Sequence, residues 1–234
     1  MPGHLSLYGI ARAIAFSATA HAAILKISRG FDPNRNCGWV VLGLRLRTLK
    51  PIPLNFPISC TTWVAATDGA RLIREYELHT GSESLAFATQ DFVLFDRESR
   101  RAMLPPKAAR EFLRGLGRKH SYSIDVSRQT ENFFSASESC DLKTSSPFLI
   151  DESAIDDNNH LNNSVYLRWL EEALKIQPQA GLELALEYIN EATLGQSMQV
   201  HSAKTHKEPQ TNSLRFSLQN TEKTFVLGKC HLLF

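Results

Sequence analysis

Apolar residues recur at three- and four-residue steps near the start of the chain and again around position 170. The first run predicts a helix over Leu5–Lys26, with Ser6 as its N-terminal cap and one apolar stripe along its length. The second run predicts a helix over Asn163–Lys175, whose apolar face carries Tyr166 and Trp169. Each pattern is typical of a helix that packs one face on a core, so both aromatic rings are expected to be core residues.

Elsewhere the apolar period changes to two, which indicates β-strands with one buried face. In one such run, leucines at positions 42, 44 and 46 alternate with glycine and arginine. The first half is predicted to contain four strands, over Trp39–Thr48, Ile58–Ala65, Arg71–His79 and Leu85–Phe95. A short helix over Ala108–Leu116 is predicted to follow them. The second half is predicted to contain strands over Phe148–Ile150, Leu182–Tyr188, Ser197–Thr205, Thr211–Gln219 and Lys223–Phe234. A helix followed by four antiparallel strands, occurring twice, predicts an α+β fold with one architectural unit repeated.

The pattern divides the 234-residue chain into three parts. Residues 1–120 are predicted to form the first unit and residues 147–234 the second. Residues 121–146 are rich in Ser, Thr, Asn and Asp, and are predicted to connect the units as an irregular segment. The chain is long enough for two small units with a sizeable core.

Composition narrows the class of protein only slightly. Apolar residues make up 43% of the chain and charged residues 21%, as in ordinary globular proteins. The four cysteines are far apart and include no C-x-x-C pair, which argues against a disulfide scaffold or a zinc ribbon and favours a reducing cytoplasm. The apolar run over Ile14–Leu25 lacks a basic segment before it, and we expect it to be too short and too polar for a membrane span.

Charge is distributed unevenly along the chain. Residues 97–119 contain eight basic and two acidic side chains, a net charge of +6, whereas the rest of the chain sums to −4. Nucleic-acid binding is not expected, because Phe112 is the only aromatic residue in this segment and such sites interleave basic and aromatic side chains. Such stretches are usually solvated surface, but a basic surface also suits an acidic protein partner.

The densest polar stretch is Asp156–Asn163, which has two aspartates, four asparagines and one histidine directly before the second predicted helix. One interpretation is an Asx-rich turn that caps the helix, with Asn162 or Asn158 as the capping residue. The other is a chemical site built from carboxylate, amide and imidazole groups. The two interpretations are compatible, since a capping turn can also present side chains to a substrate.

The same stretch resembles a family of enzymes, the acyl-acyl-carrier-protein (acyl-ACP) thioesterases. Their second hot-dog domain has a D-x-N-x-H-V-N-N segment before a Y-x-x-W-x-x-E helix, and the matching residues are Asp156, Asn158, His160, Asn162, Asn163, Tyr166, Trp169 and Glu172. The family's E-Y-x-x-E-C segment is matched here with Glu191 as its second glutamate. In the first half, the family's W-V, T-W and D-x-x-(S/T)-R-R landmarks are matched within Gly38–Val41, Thr61–Trp63 and Asp96–Arg101.

Two features depart from the family pattern. Ala192 stands where plant members have a cysteine, so a Cys–His nucleophile pair is not available at that position. The first predicted helix also begins almost at the first residue, so the opening strand of the first hot-dog unit is expected to be missing.

The resemblance implies a tandem double hot-dog fold, in which an antiparallel sheet wraps a long helix in each unit. It also implies hydrolysis of a fatty acyl thioester on acyl carrier protein, with Asp156, Asn158, His160 and Glu191 as catalytic residues. We expect Glu191 to act as the base that activates water and Asn158 to orient the water or the thioester. His160 is expected to hydrogen-bond the carbonyl or protonate the leaving thiol, with Asp156 fixing its ring. Backbone N–H groups at the start of the second helix are expected to stabilise the oxyanion.

Partners and alternatives follow from the same resemblance. Acyl-ACP is the expected partner, without a metal or organic cofactor, and its docking surface is expected to include Arg97, Arg100, Arg101 and Arg114. The first unit is expected to supply packing and an acyl-chain pocket rather than catalytic residues. Hydrolysis of acyl-CoA and non-hydrolytic binding of acyl thioesters stay open as alternatives. No nucleic acid or membrane partner is expected, and a homodimer is one option for the oligomeric state.

Overall fold

The first unit consists of one long helix, four long strands and a short terminal helix. A computed structural model of the chain describes residues 3–28, 36–68, 70–116, 142–204 and 212–232. In chain order the first unit contains α1 (Leu7–Ile24), β1 (Cys37–Thr48), β2 (Ser59–Asp68), β3 (Arg71–Thr80), β4 (Glu83–Asp96), β5 (Arg101–Ala102) and α2 (Lys107–Gly115). Every helix and strand predicted for this half is present with ends shifted by a few residues.

The second unit follows the same plan. It contains β6 (Lys143–Thr144), β7 (Phe148–Leu149), a 3₁₀ turn (Glu152–Ala154), α3 (Asn163–Leu174), β8 (Leu182–Tyr188), β9 (Ser197–Lys204), β10 (Asn212–Gln219) and β11 (Thr224–Leu232). The α+β prediction is therefore confirmed. The predicted connector, residues 121–146, lies mostly outside the described residues, and its described part, residues 142–146, contains the short edge strand β6.

The strands of both units form one antiparallel sheet. Its order is β2-β3-β4-β1-β8-β11-β10-β9-β6, so the two units meet where β1 pairs with β8. In that pair Gly43 lies opposite Glu187, and Leu44 lies opposite Leu186. A Cβ atom at Gly43 would lie 2.8 Å from the backbone oxygen of Leu186, so a side chain at this position would push the two strands apart. The junction between the units therefore requires a glycine.

Both units contribute to one hydrophobic core. Helices α1 and α3 contact each other, and buried side chains of both helices and of the central strands form one cluster that includes Leu7, Ile10, Ile14, Leu44, Leu186, Val165, Leu170 and Phe216. Tyr166 and Trp169 belong to this cluster, as the sequence predicted. Because burial of each large apolar side chain contributes roughly 1.5–3 kcal/mol, much of the folding energy depends on the two units being together.

By length and composition alone, helix α1 is long and apolar enough to cross a membrane. The expectation that this region is too short and too polar for a membrane span is therefore wrong on these two criteria. Helices in the core of soluble proteins and signal sequences pass the same test. In this fold Leu7, Ile10 and Ile14 of α1 are fully buried, and the helix packs against α3 and β2.

The two halves differ at the outer edge of the sheet. In the second unit β9 pairs with β10 on one side and with β6 and β7 on the other. In the first unit, and within the described part of the chain, β2 pairs with β3 alone.

Helix α1 is capped from both units. The hydroxyl of Ser6 accepts a hydrogen bond from the backbone N–H of Gly9 at 3.1 Å, which confirms Ser6 as the N-cap. No acidic residue lies in the first turn of α1. Instead Glu171, from α3, accepts hydrogen bonds from the N–H groups of Leu7 and Tyr8. A carboxylate at a helix N-terminus is favourable because the free N–H groups there carry partial positive charge.

Replacing Glu171 with alanine is therefore expected to lower the free energy of unfolding by about 1 kcal/mol, the usual loss when a helix cap is removed. Glu171→Gln keeps an oxygen that accepts hydrogen bonds and is expected to cost less. Denaturant titration of both variants measures the difference. Glu172→Ala, at the exposed neighbouring position, is the matched control and is expected to change stability by less than about 0.5 kcal/mol.

The pH dependence of the same comparison checks the cause. Burial raises the pKa of Glu171, and the hydrogen bonds from Leu7 and Tyr8 oppose that rise. A carboxyl group with a higher pKa in the folded state binds more protons when folded, so its contribution to stability declines as pH rises through the folded pKa. The free energy of unfolding of Glu171→Gln should therefore rise relative to that of the wild type as pH increases above 4.5, the ordinary pKa of a glutamate. A pH-independent difference would contradict this explanation.

Candidate active site

The loop before α3 is shaped by the carboxylate of Asp156. Its Oδ1 accepts hydrogen bonds from the backbone N–H groups of Asn158 at 2.8 Å and His160 at 3.3 Å, and its Oδ2 lies 3.4 Å from the amide nitrogen of Asn158. The N–H of Asp156 donates to the carbonyl of His160 at 2.8 Å, and Asn159 has a left-handed backbone with φ of 62°. In its described contacts Asp156 thus holds the loop backbone, where the sequence suggested that it fixes the imidazole ring.

The start of α3 uses its own backbone donors. Asn162 is the N-cap, and its Oδ1 accepts from the N–H of Ser164 at 3.0 Å. The N–H of Val165 donates to the carbonyl of Asn162 at 2.9 Å. The expected oxyanion donors are therefore already engaged at Ser164 and Val165. Among the described residues the N–H of Asn163 has no hydrogen-bond partner. Of the N–H groups of Asn163, Ser164 and Val165, that of Asn163 alone is therefore available as the expected oxyanion donor.

The loop is tied to the segment that carries Glu191. The N–H of Leu161 donates to the carbonyl of Ala192 at 2.8 Å, while the Ala192 side chain is fully buried in the core. This contact places Nε2 of His160 3.4 Å from Oε2 of Glu191. That distance is longer than the 2.7–2.9 Å typical of a charge-assisted hydrogen bond, but it puts imidazole and carboxylate in direct contact.

All four residues predicted for catalysis thus lie close together. The side chains of His160 and Glu191 are 29% and 36% exposed, so both are partly desolvated and still open to a substrate. Asp156 is half-buried beneath the loop, and Asn158 is exposed on it. Their catalytic roles stay predictions, since proximity alone assigns none of them.

A fifth side chain reaches this site from the first unit. Nη2 of Arg100 lies 2.6 Å from Oε2 of Glu191, the same oxygen that faces His160. Sequence reasoning placed Arg100 only on a docking surface. In the sequence, the one indication of a special role for Arg100 is its position in the D-x-x-(S/T)-R-R landmark. That motif does not predict a contact with a residue 91 positions away.

The other basic residues predicted for docking lie on the surface. Arg97, Arg101 and Arg114 are exposed, and Arg97 lies at the turn after β4 while Arg114 lies on α2. Arg118 and Lys119, which complete the basic segment, are outside the described residues. Arg100 differs from these three because its guanidinium contacts the candidate site.

Tyr166 borders the same carboxylate. Its buried ring packs against Trp169, with centroids 6.3 Å apart, and against Tyr188, with centroids 5.8 Å apart. Burial, with a smaller contribution from the charge of Glu191, raises the pKa of Tyr166 well above its usual value. Its phenol therefore stays protonated at neutral pH, and it forms an uncharged wall beside Glu191.

The arrangement supports attack by water on an activated carbonyl. A carboxylate in contact with an imidazole can accept a proton from water and pass it on, which is the work of general acid–base catalysis. The described cysteines, Cys37, Cys60 and Cys230, lie outside the group formed by the site residues. Among the described residues no three His, Cys, Asp or Glu side chains are grouped so as to hold a metal ion.

Several known proteins share the fold of this chain. Solved structures similar in fold include an acyl-ACP thioesterase from Bacteroides thetaiotaomicron, with 14% identity, a TM-score of 0.69, and 97% of this chain and 90% of that one covered. The 12:0-ACP thioesterase from Umbellularia californica has 16% identity and a TM-score of 0.75, covering 97% of this chain and 89% of that one. A protein assigned as an oleoyl thioesterase from Lactobacillus plantarum has 16% identity and a TM-score of 0.79, and the match covers 99% of this chain and 91% of that one.

At these identities the structures show a shared fold and nothing further. A search of curated proteins finds no match to this chain. Family-level comparison is more specific: residues 4–112 match the acyl-ACP thioesterase N-terminal domain, and residues 137–231 match the acyl-ACP thioesterase C-terminal domain. Because these matches together span most of the sequence, the chain belongs to the acyl-ACP thioesterase family and is a thioester hydrolase that acts on acyl-ACP.

Proposed function

We propose that the enzyme hydrolyses fatty acyl-ACP with water activated by Glu191, and that His160 moves the proton to the leaving thiol. The observation that carries this proposal is the 3.4 Å contact between Nε2 of His160 and Oε2 of Glu191. It pairs a base and a proton carrier at a partly exposed position on the enzyme. The buried methyl of Ala192 supports a water nucleophile, since no thiol stands next to Glu191.

The reaction balances with these groups alone. Glu191 takes a proton from water, and the resulting hydroxide attacks the thioester carbonyl carbon, which becomes tetrahedral with a negatively charged oxygen. When the C–S bond breaks, the sulfur leaves as a thiolate. The proton on Glu191 returns through His160 to that thiolate, so a free fatty acid and the carrier thiol are released and both side chains are restored.

The oxyanion requires a donor, and the loop offers two. Asn158 is exposed, and the contact of its amide nitrogen with Oδ2 of Asp156 holds the side chain in place. The N–H of Asn163 points out of the first turn of α3 without a partner among the described residues. We assign oxyanion stabilisation to one or both of these donors, each worth roughly 3–4 kcal/mol when correctly placed.

Docking of the acidic carrier is assigned to the exposed guanidinium groups of Arg97, Arg101 and Arg114. Complementary charge mainly accelerates encounter, so this contribution should weaken as salt screens it. A cytoplasmic location is proposed on similarly general grounds, because Cys60 and Cys230 carry free thiols.

Glu191→Gln is expected to lower kcat on acyl-ACP by on the order of 100- to 10,000-fold, since the amide cannot take the proton from water. KM should change little, because the variant keeps the shape of the side chain. Release of free fatty acid from matched acyl-ACP and acyl-CoA substrates measures both constants. Glu222→Gln, at an exposed position in the turn after β10, is the control and should match the wild type.

The two substrates also separate the alternatives. Faster hydrolysis of acyl-CoA than of the matched acyl-ACP would favour an acyl-CoA thioesterase. Binding of both without any acid release would identify a binding module. Full activity in Glu191→Gln would remove Glu191 as the base.

Asp156→Asn and Asp156→Ala are expected to differ. Because the carboxylate accepts hydrogen bonds from the backbone of Asn158 and His160, asparagine keeps an acceptor and is expected to retain activity within roughly tenfold. Alanine leaves those N–H groups unpaired, and the loss of activity should be larger and accompanied by a fall in stability of about 1–3 kcal/mol. Steady-state kinetics and thermal unfolding measure the two effects. Equal loss of activity in both variants, with unchanged stability, would show that the negative charge itself acts in the reaction.

Charge reversal tests the docking surface. Arg101→Glu combined with Arg114→Glu is expected to raise KM for acyl-ACP several-fold at low salt while kcat stays the same, because the acidic carrier is repelled. The difference from the wild type should shrink as ionic strength rises toward about 0.5 M. KM measured across a salt series checks both statements, and KM values equal to those of the wild type at low salt would remove this surface from the docking model.

A further inference from the structure

Arg100 belongs to the first unit, and its closest described contact belongs to the second. The distance of 2.6 Å between its Nη2 and Oε2 of Glu191 is that of a short, charge-assisted hydrogen bond. The side chain of Arg100 is 64% exposed, which explains why it resembles an ordinary surface arginine. An isolated surface ion pair contributes little to stability. The importance of this contact therefore lies in its effect on the Glu191 carboxylate, the proposed base, and not in stability.

Sheet topology brings the two residues together. β4 and β8 are both antiparallel to β1, so they run parallel to each other and end at the same edge of the sheet. Neighbouring strands lie about 4.8 Å apart, so β4 and β8, which flank β1, lie roughly 10 Å apart side by side. Gly43 of β1 lies opposite both Asp91 of β4 and Glu187 of β8, so β4 continues past the level at which β8 ends. Arg100 lies in the hairpin after β4, and Glu191 lies three residues after β8. A long arginine side chain spans the remaining gap.

The hairpin is built to hold Arg100 in place. Oδ1 of Asp96 accepts hydrogen bonds from the N–H groups of Glu98 and Ser99, both at 3.0 Å, and Asp96 pairs with Arg101 across the hairpin. The guanidinium carbon of Arg100 lies 6.0 Å from the centre of the Phe95 ring. Arg100 itself has φ of 54°, a left-handed conformation that residues with side chains rarely adopt. Such conformations persist where the surrounding structure fixes them.

The two oxygens of Glu191 have different surroundings. Oε2 receives both Arg100, at 2.6 Å, and His160, at 3.4 Å. Oε1 has no hydrogen-bond partner among the described residues. Arg100 thus holds the carboxylate by the oxygen that faces His160, while Oε1 stays open to water.

We propose that Arg100 is a positioning residue for hydrolysis, which fixes the carboxylate of Glu191 against His160 from the opposite unit. The inference rests on the proposed role of Glu191 as the base. The active site is then composite, because the first unit supplies Arg100 in addition to packing. Arg100 acts through Glu191 and takes no proton itself, since a guanidinium stays charged in proteins.

A positioning role predicts an effect on kcat, and a docking role predicts an effect on KM. Arg100→Gly removes the guanidinium while allowing the left-handed backbone without strain, so the hairpin should keep its conformation. The variant is expected to lower kcat for acyl-ACP by on the order of 10- to 100-fold, since misplacement of a reacting group has effects of that size. KM is expected to stay within about twofold. Arg100→Lys should recover part of kcat, because lysine restores the charge without the planar fork.

Chemical rescue separates positioning from a structural effect. Guanidinium ion at millimolar, non-denaturing concentration can occupy the space left in Arg100→Gly and is expected to restore part of kcat. It should not restore activity in the double variant Arg100→Gly/Glu191→Gln, where the carboxylate is absent. Arg12→Ala, which removes an exposed arginine of α1, is the control and should show wild-type kinetics with and without guanidinium. Thermal unfolding of each variant verifies that it is folded.

Three results would overturn the proposal. Unchanged kcat with a raised KM in Arg100→Gly would make Arg100 a docking residue only. A lower kcat with lower thermal stability and no rescue by guanidinium would make its role structural. Rescue of the double variant to the same extent would show that guanidinium acts elsewhere. Full activity in the single variant Glu191→Gln would contradict the proposed function, because Glu191 would then not be the base. Since that variant is separate from the Arg100 variants, the two failures can be distinguished.

Discussion

The pairing of β1 with β8 determines where everything else in this enzyme lies. It makes one continuous sheet of two units and depends on Gly43, whose missing side chain lets the strand approach the backbone of Leu186. Because β1 lies between β4 and β8, the same pairing sends the ends of those two strands to one edge of the sheet. The loop that carries Glu191 and the hairpin that carries Arg100 meet there. A shift of this register by two residues would displace β8 by about 7 Å relative to β4 and disrupt the contact between Arg100 and Glu191.

Stability and chemistry depend on the same junction. The core is continuous between the units, and Glu171 of the second unit caps the first helix. The first unit was expected to provide packing, an acyl-chain pocket and a docking surface rather than catalytic residues, yet its Arg100 touches the candidate base. Separating the halves would thus expose apolar surface, remove Glu171 from the N-terminus of α1 and remove a partner of Glu191 at once. This coupling gives a physical reason for the two units to be parts of one chain.

Local pattern predicted most of the fold, because period and capping are properties of neighbouring residues. The long helices and strands follow from apolar spacing, and the cap at Ser6 follows from residue type. The two-residue strands β5 and β6 were not predicted, since two residues carry no period. Asp156 was expected to hold the His160 ring, but its carboxylate accepts backbone N–H groups of its own loop. The contact between Arg100 and Glu191 depends on strand register across the whole sheet, which no local pattern encodes.

Ala192 connects these points to the mechanism. Its carbonyl accepts the N–H of Leu161 and thereby fixes the distance between His160 and Glu191, while its methyl group is buried in the core. The position thus acts through its backbone, and a backbone contact survives a change of side chain. A small residue suffices there, provided that the nucleophile comes from elsewhere. In the proposed mechanism water supplies it, which requires a well-oriented carboxylate. Arg100 and His160, both at Oε2, meet that requirement from opposite units.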